Sequence, residues 1–212
     1  GSSLAMVMIN NDIKTDTILV SSIVFSIWML VSYLETNKLK FIAGASLGIA
    51  AAMLTKGPIG LVMPALALGG HIMLKKQWRL LFDWKWILML IGVTILLIPM
   101  CVGLFKQYGK EGLTFYFWTQ SFGRITGEST WENDTTALYF THVFLWSFLP
   151  WVFLAIAALL SELKNVPKLI ANKHSELYLI SGIVLVSVAL SLSRFKLPHY
   201  IFVVYPLIAI LT

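Results

Sequence analysis

The feature that most constrains this chain is the length of its uncharged apolar blocks. Residues 86–105 run for a full bilayer's worth of sequence without a charged side chain, and about 20 such residues are what a helix needs to cross the hydrocarbon core. Blocks of similar character recur along the chain, and they do not alternate in and out in the ten-residue segments that mark a membrane β-barrel. Inside lipid every backbone N–H and C=O needs a partner within the protein, which a helix supplies from its own segment. With 58% hydrophobic and 12% charged residues, against about 45–50% and 25% in soluble domains, the fold class is an all-α, polytopic transmembrane bundle.

On this basis spans are predicted at 18–34, 40–54, 57–74, 86–105, 138–160 and 177–192, with partial spans at 1–9 and 199–212. This makes six complete and two partial spans in a single domain, 1–212. Both ends break off inside apolar sequence, so the chain reads as an interior piece of a longer protein. Residues 106–136 form the longest connection. Phe115, Tyr116, Phe117, Trp118 and Phe122 give it an aromatic face beside Gln120 and Arg124, as in an external amphipathic helix lying in the interface or an aromatic belt anchoring its neighbours.

Strict alternation puts loops 35–40, 75–85 and 161–176 on one side. They hold nine of the sixteen Lys and Arg residues and four of the ten acids, so the positive-inside tendency assigns them to the cytoplasm. A formal charge of +6 scattered through such loops reports topology and phospholipid contact. It forms no aromatic-interleaved patch, so no nucleic-acid partner is expected. The lone Cys101 lies in an apolar run, which excludes an internal disulfide and suggests no thiol or metal cluster.

Alternation gathers Asp12, Asp16, Lys56, Arg124, Glu128, Arg194, Lys196 and His199 at the opposite, external face. Asp12 and Asp16 stand four residues apart at a helix mouth. Either could act as a general base towards an acceptor, help hold a divalent cation, or simply favour a helix start. Lys56 lies in a Thr-Lys-Gly-Pro turn, where a cation could meet phosphate or snorkel to water. Arg124 has the planar fork suited to phosphate. Lys196 and His199 precede an apolar run. No Ser/His/Asp order, HExxH or paired Cys/His spacing supports a hydrolase or zinc protease.

Three stretches resemble the aminoarabinose lipid A transferases and the wider bacterial protein-O-mannosyltransferase-like glycosyltransferases of the GT-C class. They are Leu54-Thr-Lys-Gly-Pro-Ile-Gly-Leu-Val-Met-Pro64; Phe115-Tyr-Phe-Trp-Thr-Gln-Ser-Phe-Gly-Arg124 with Gly127-Glu128 and the later Leu149-Pro150-Trp151; and Phe195-Lys-Leu-Pro-His-Tyr-Ile201 running on to Tyr205-Pro206. The resemblance implies a membrane glycosyltransferase, a hexosyl or pentosyl transferase, at the bacterial inner membrane with its site facing the periplasm or exterior. It would move sugar from a polyprenyl-phosphate donor to a lipid or protein acceptor among membrane lipids. Asp16 then corresponds to an accessory acidic residue, the main base being expected ahead of Gly1. Lys56 and Arg124 correspond to donor-phosphate contacts, with Lys196, Asp12, Gln120 and His199 as further substrate-binding positions.

Where the aminoarabinose transferases carry Glu and His before the arginine, this chain has Gln120 and Ser121, so a divalent metal stays an open requirement and no other cofactor is implied. The rival readings are a transporter or flippase for an anionic lipid or solute, and a structural membrane subunit. Neutralising Lys56 or Arg124 is expected to lower turnover and donor binding with stability unchanged.

Overall fold

A computed structural model describes residues 3–5, 7, 15–119, 123, 136, 138–172, 176–193 and 196–212. Among the described residues there is helix and no strand. The helices are α1 (Asp16–Thr36), α2 (Leu39–Lys56), α3 (Ile59–Leu74), the single turn α4 (Trp78–Leu81) and α5 (Lys85–Thr114), which runs into a π-helical turn, Phe115–Thr119. Then follow α6 (Tyr139–Ser147), α7 (Val152–Ala171), α8 (Leu177–Leu192), a 3-10 turn Pro198–Val203 and α9 (Tyr205–Leu211). By length and apolarity α1, α2 and the 78–119 stretch each suffice to cross a membrane, while α3, α8 and 198–211 are shorter apolar helices. The chain is an integral membrane protein.

Helix α1 packs most extensively on α2, α3 covers both, α5 lies on the outer face of α2, and α8 lies on that of α3. What lets these helices approach is small residues in contact. A side chain at Gly48 would meet Ser26 Oγ at 2.5 Å, one at Gly92 would meet Ser46 Oγ at 2.8 Å, and one at Gly70 would meet Ser181 Cβ at 2.6 Å. Two of these serines also bond across the seam, Ser46 to the Met89 carbonyl at 3.1 Å and Ser181 to the Ala67 carbonyl at 2.6 Å. Apolar lipid offers helices no hydrophobic reason to associate, so close packing and such hydrogen bonds hold the bundle. The outer face of α5, with Ile87, Ile91, Ile95 and Ile98 exposed, meets lipid.

Three sequence expectations change. The 138–160 span is broken: α6 ends at Ser147, the Leu149–Pro150 peptide is cis, and α7 starts at Val152. Proline removes an N–H and clashes with the preceding turn, which is why a helix stops there. Helix α7 then continues to Ala171, through sequence expected as the 161–176 loop, so its twenty residues alone measure about 30 Å. The start of the 106–136 connection is likewise helical. It continues α5 past a bend at Gly109, whose φ of 63° and ψ of −148° fall in a region open essentially to glycine alone. A straight helix of thirty residues would run about 45 Å, and the bend instead turns its last residues back over the bundle.

Candidate functional site

Antiparallel succession places the start of α1, the end of α2, the π-helical turn and the 3-10 turn at one end of the bundle. Contacts between these segments bear that placement out. Asp16 is the first residue of α1 and is buried, and one carboxylate oxygen accepts the Lys56 ammonium. His199 Nε2 stands 3.9 Å from the other oxygen. Lys56 Nζ also lies 4.9 Å from the centroid of the Tyr200 ring, within range of a cation–π contact. Residues separated by 40 and by more than 180 positions thus form one cluster: carboxylate, ammonium, imidazole and phenol.

The helix ends favour this pairing. Asp16 lies in the first turn of α1 and Lys56 in the last turn of α2, so the anion sits at a positive helix end and the cation at a negative one. Thr15, the residue before α1, makes no side-chain cap, and the Asp16 carboxylate is spent on Lys56. Of the readings open for Asp16, simple capping therefore gives way to a charge-pairing role. Lys56 is placed by the turn that follows it. Gly57 has φ 73° and ψ −155°, again backbone that other residues essentially do not adopt, and its N–H returns to the Met53 carbonyl at 2.7 Å. Gly60 closes the turn against α2, since a Cβ there would lie 2.6 Å from the Met53 nitrogen.

The pairing revises one expectation. Lys56 was expected to be removable without loss of stability, but its side chain is 22% exposed against 5% for Asp16. Removing it leaves a nearly dry carboxylate with His199 as its remaining neighbour beyond hydrogen-bond range. Leaving a buried charged group unsatisfied costs on the order of 1–3 kcal/mol or more.

Lys196 is buried, two residues before the 3-10 turn that carries His199 and Tyr200. Asp12, Gln120 and Arg124, with Glu128 and Arg194, lie outside the described residues. Two residues had no assigned role in the sequence. Tyr200 was quoted only as part of a motif, and its position beside His199 was the available signal. Tyr205 contacts the Ser147 hydroxyl and packs its ring, tilted or edge-on, among Phe144, Phe148 and Phe202, fixing the base of the 3-10 turn. Among the described residues no three His, Cys, Asp or Glu side chains gather as a metal site.

These features define the class: an integral membrane helical bundle with a half-buried charge cluster at one end. Residues 2–103 match the family described as dolichyl-phosphate-mannose-protein mannosyltransferase. Among curated proteins the chain is 26% identical over 124 residues to the undecaprenyl phosphate-alpha-4-amino-4-deoxy-L-arabinose arabinosyl transferase of Shewanella sediminis, covering 58% of this chain and 22% of that protein. It is 24% identical over 183 residues to the arabinosyl transferase 2 of the same description from Proteus mirabilis, 85% of this chain and 31% of that one.

Two solved structures of ArnT from Cupriavidus metallidurans share the fold over 92% of this chain. One is bound to undecaprenyl phosphate, with a TM-score of 0.66 and 22% identity. The other is in the apo state, with a TM-score of 0.74 and 20% identity. The chain spans no more than about a third of the length of any of these relatives. The resemblance to the aminoarabinose transferases is borne out, and the fold is the one those two ArnT structures share.

Proposed function

We propose that the protein containing this chain transfers a hexosyl or pentosyl group from a polyprenyl-phosphate donor to a hydroxyl or amine on a lipid or protein acceptor. The acting site would be at the periplasmic or external face of the bacterial inner membrane. The observation that carries this reading is the convergence of Asp16, Lys56 and His199 at one end of the bundle. The relatives' printed names point the same way, since they describe arabinosyl transfer from undecaprenyl phosphate.

In such a transfer the bond between the anomeric carbon and the phosphate oxygen breaks while the acceptor oxygen or nitrogen bonds to that carbon, and the acceptor's proton passes to a carboxylate. Negative charge grows on the departing phosphate. Lys56, held in place before the donor arrives, meets that charge without having to reorganise, which is how preorganised donors lower a barrier. Its cation–π contact with Tyr200 and its bond to Asp16 fix the ammonium at one height. Asp16 acts as the accessory carboxylate that holds the Lys56 ammonium in place. The main base would be a carboxylate elsewhere in the whole protein, and Arg124, Lys196, Asp12 and Gln120 would contribute further contacts to donor and acceptor. A divalent cation at Asp16 would have to displace the Lys56 ammonium, so the chemistry proposed for Lys56 does not call on one. Turnover that vanishes with chelator and returns with a divalent salt would assign the cation a part.

The test is single-turnover transfer from a radiolabelled polyprenyl-phosphate sugar by the full-length protein in liposomes. Lys56→Ala is expected to slow the chemical step by about 10²–10³, the usual loss for one preorganised donor, and Lys164→Ala to leave it unchanged. Wild-type rates in Lys56→Ala would overturn the reading. Unaltered chemistry with altered movement of lipid across the bilayer would favour a flippase, and full dispensability of Asp16, Lys56 and His199 a structural subunit.

A further inference from the structure

Tyr116 lies in the π-helical turn that follows the Gly109 bend, and its ring is buried. Its hydroxyl donates to the Met53 carbonyl at 2.6 Å, the same oxygen that accepts the Gly57 N–H. Lys56 is one of the three residues enclosed between Met53 and Gly57, and the one next to the glycine. The last turn of α2 is therefore tied from two sides, by its own glycine and by a phenol from a segment more than sixty residues downstream. Phe117 packs edge-on against the Tyr116 ring at 4.8 Å, which holds the phenol in register. No other described side chain donates a hydrogen bond to the backbone of residues 53–57 across a helix seam.

We infer that Tyr116 is a positioning residue: its hydroxyl, through the Met53 carbonyl, sets the place of the Lys56 ammonium at the Asp16 carboxylate and couples that place to the segment leading into 120–136. The inference rests on the glycosyl-transfer reading for its consequence in donor binding, but its geometric content stands apart from any substrate. A phenol that merely filled space could lose its oxygen without effect on Lys56. A phenol that positions the turn could not.

Two measurements on the full-length protein separate these outcomes. In the first, equilibrium binding of a polyprenyl phosphate in nanodiscs is compared for Tyr116→Phe in the wild-type and Lys56→Ala backgrounds. Loss of one net hydrogen bond corresponds to about a fivefold change. A fivefold weakening with Lys56 present, falling below twofold with Lys56→Ala, is expected, because positioning matters only when there is an ammonium to position. The same loss in both backgrounds, or no loss with Lys56 present when Lys56→Ala itself weakens binding, would overturn the inference.

In the second, maleimide labelling of Lys56→Cys in a Cys101→Ser background is timed with and without Tyr116→Phe. The rate is expected to change at least threefold when the hydroxyl is removed, while labelling of Lys164→Cys stays constant. An unchanged rate at position 56 overturns the inference whatever the lipid assay gives. A changed rate beside unaltered binding of polyprenyl phosphate in Lys56→Ala would instead retain the positioning role and discard the donor-phosphate reading.

Discussion

The two ends of the bundle use their polar residues in opposite ways. At the end where α1 finishes and α5 begins, side chains stitch backbone and loops together. The Tyr33 hydroxyl bonds Asp83 at 2.5 Å, Lys85 reaches Asn37, Trp86 Nε1 donates to the Leu80 carbonyl, and Lys75 donates to the Leu169 carbonyl at 3.0 Å near the end of α7. Lys75 is taken up by a carbonyl at the end of α7, a use common for lysine near a helix C-terminus, and Lys85 by the Asn37 side-chain amide just past the end of α1. At the other end Asp16 and Lys56 are joined to each other, beneath a tyrosine ring and beside an imidazole. The first arrangement can be explained by the needs of the helix termini alone. The second sets a buried carboxylate against a partly exposed ammonium from another helix, and that pairing makes this end the candidate site.

The sharpest way to break this contrast is to replace the pair by neutral groups of similar size. A buried ion pair is often matched or exceeded in stability by well-packed neutral residues, whereas losing one partner is costly. Asp16→Asn combined with Lys56→Met is therefore expected to unfold within about 1 kcal/mol of wild type, while Lys56→Ala alone loses on the order of 1–3 kcal/mol. Glycosyl transfer should be lost in both. Thermal unfolding in detergent beside single-turnover assays checks this, and a double variant that regains turnover would show the pair to be a structural stitch like those at the other end.

Next in size is Gly57→Ala. Its backbone angles belong to a region that costs a non-glycine residue about 1–3 kcal/mol, and relaxing it would swing the end of α2. Loss of stability with a parallel loss of donor binding is expected from unfolding and lipid-binding titrations. Stability lost with donor binding unchanged would show that Lys56 does not depend on the turn.

At the stitched end, Tyr33→Phe removes the hydroxyl bonded to Asp83 and is expected to cost about 1 kcal/mol, the usual net worth of one hydrogen bond. Turnover should stay within twofold of wild type. A tenfold fall in turnover at constant stability would mean that this end also serves the reaction.

How much of this was legible in the sequence follows from what each feature depends on. The spans up to residue 105 were readable because run length and charge-free stretches decide them, and the convergence of Asp16, Lys56 and His199 followed from counting spans. The break at 148–151 was hidden because Phe148, Leu149, Pro150 and Trp151 leave the apolar run uninterrupted, with Pro150 as the one local sign. The extension of α7 to Ala171 was missed because Glu162, Lys164 and Lys168 read as loop, although charged residues continue a helix readily once it leaves the hydrocarbon. Specific partners were out of reach. That Lys56 meets Asp16 rather than water, and that Tyr116 finds the Met53 carbonyl, are tertiary facts with no local signature.

The smallest effect is expected at His199, and it tests where the site ends. Its Nε2 is 3.9 Å from the Asp16 carboxylate, too far for a hydrogen bond, so the ring contributes little to the pair as it stands. His199→Gln keeps a polar group of similar reach but loses the edge-on contact with the Tyr200 ring, and should move unfolding by about 0.5 kcal/mol, the low end for an aromatic pair. Its effect on transfer should be correspondingly modest, a few-fold at most, unless donor binding draws the imidazole onto Asp16. That exception has its own signature. In a double-variant comparison, His199→Gln would then cost far more turnover with Asp16 intact than with Asp16→Asn, a coupling that two independent residues do not produce. Equal effects in both backgrounds would leave Asp16, Lys56 and Tyr200 as the working cluster and put His199 beside it.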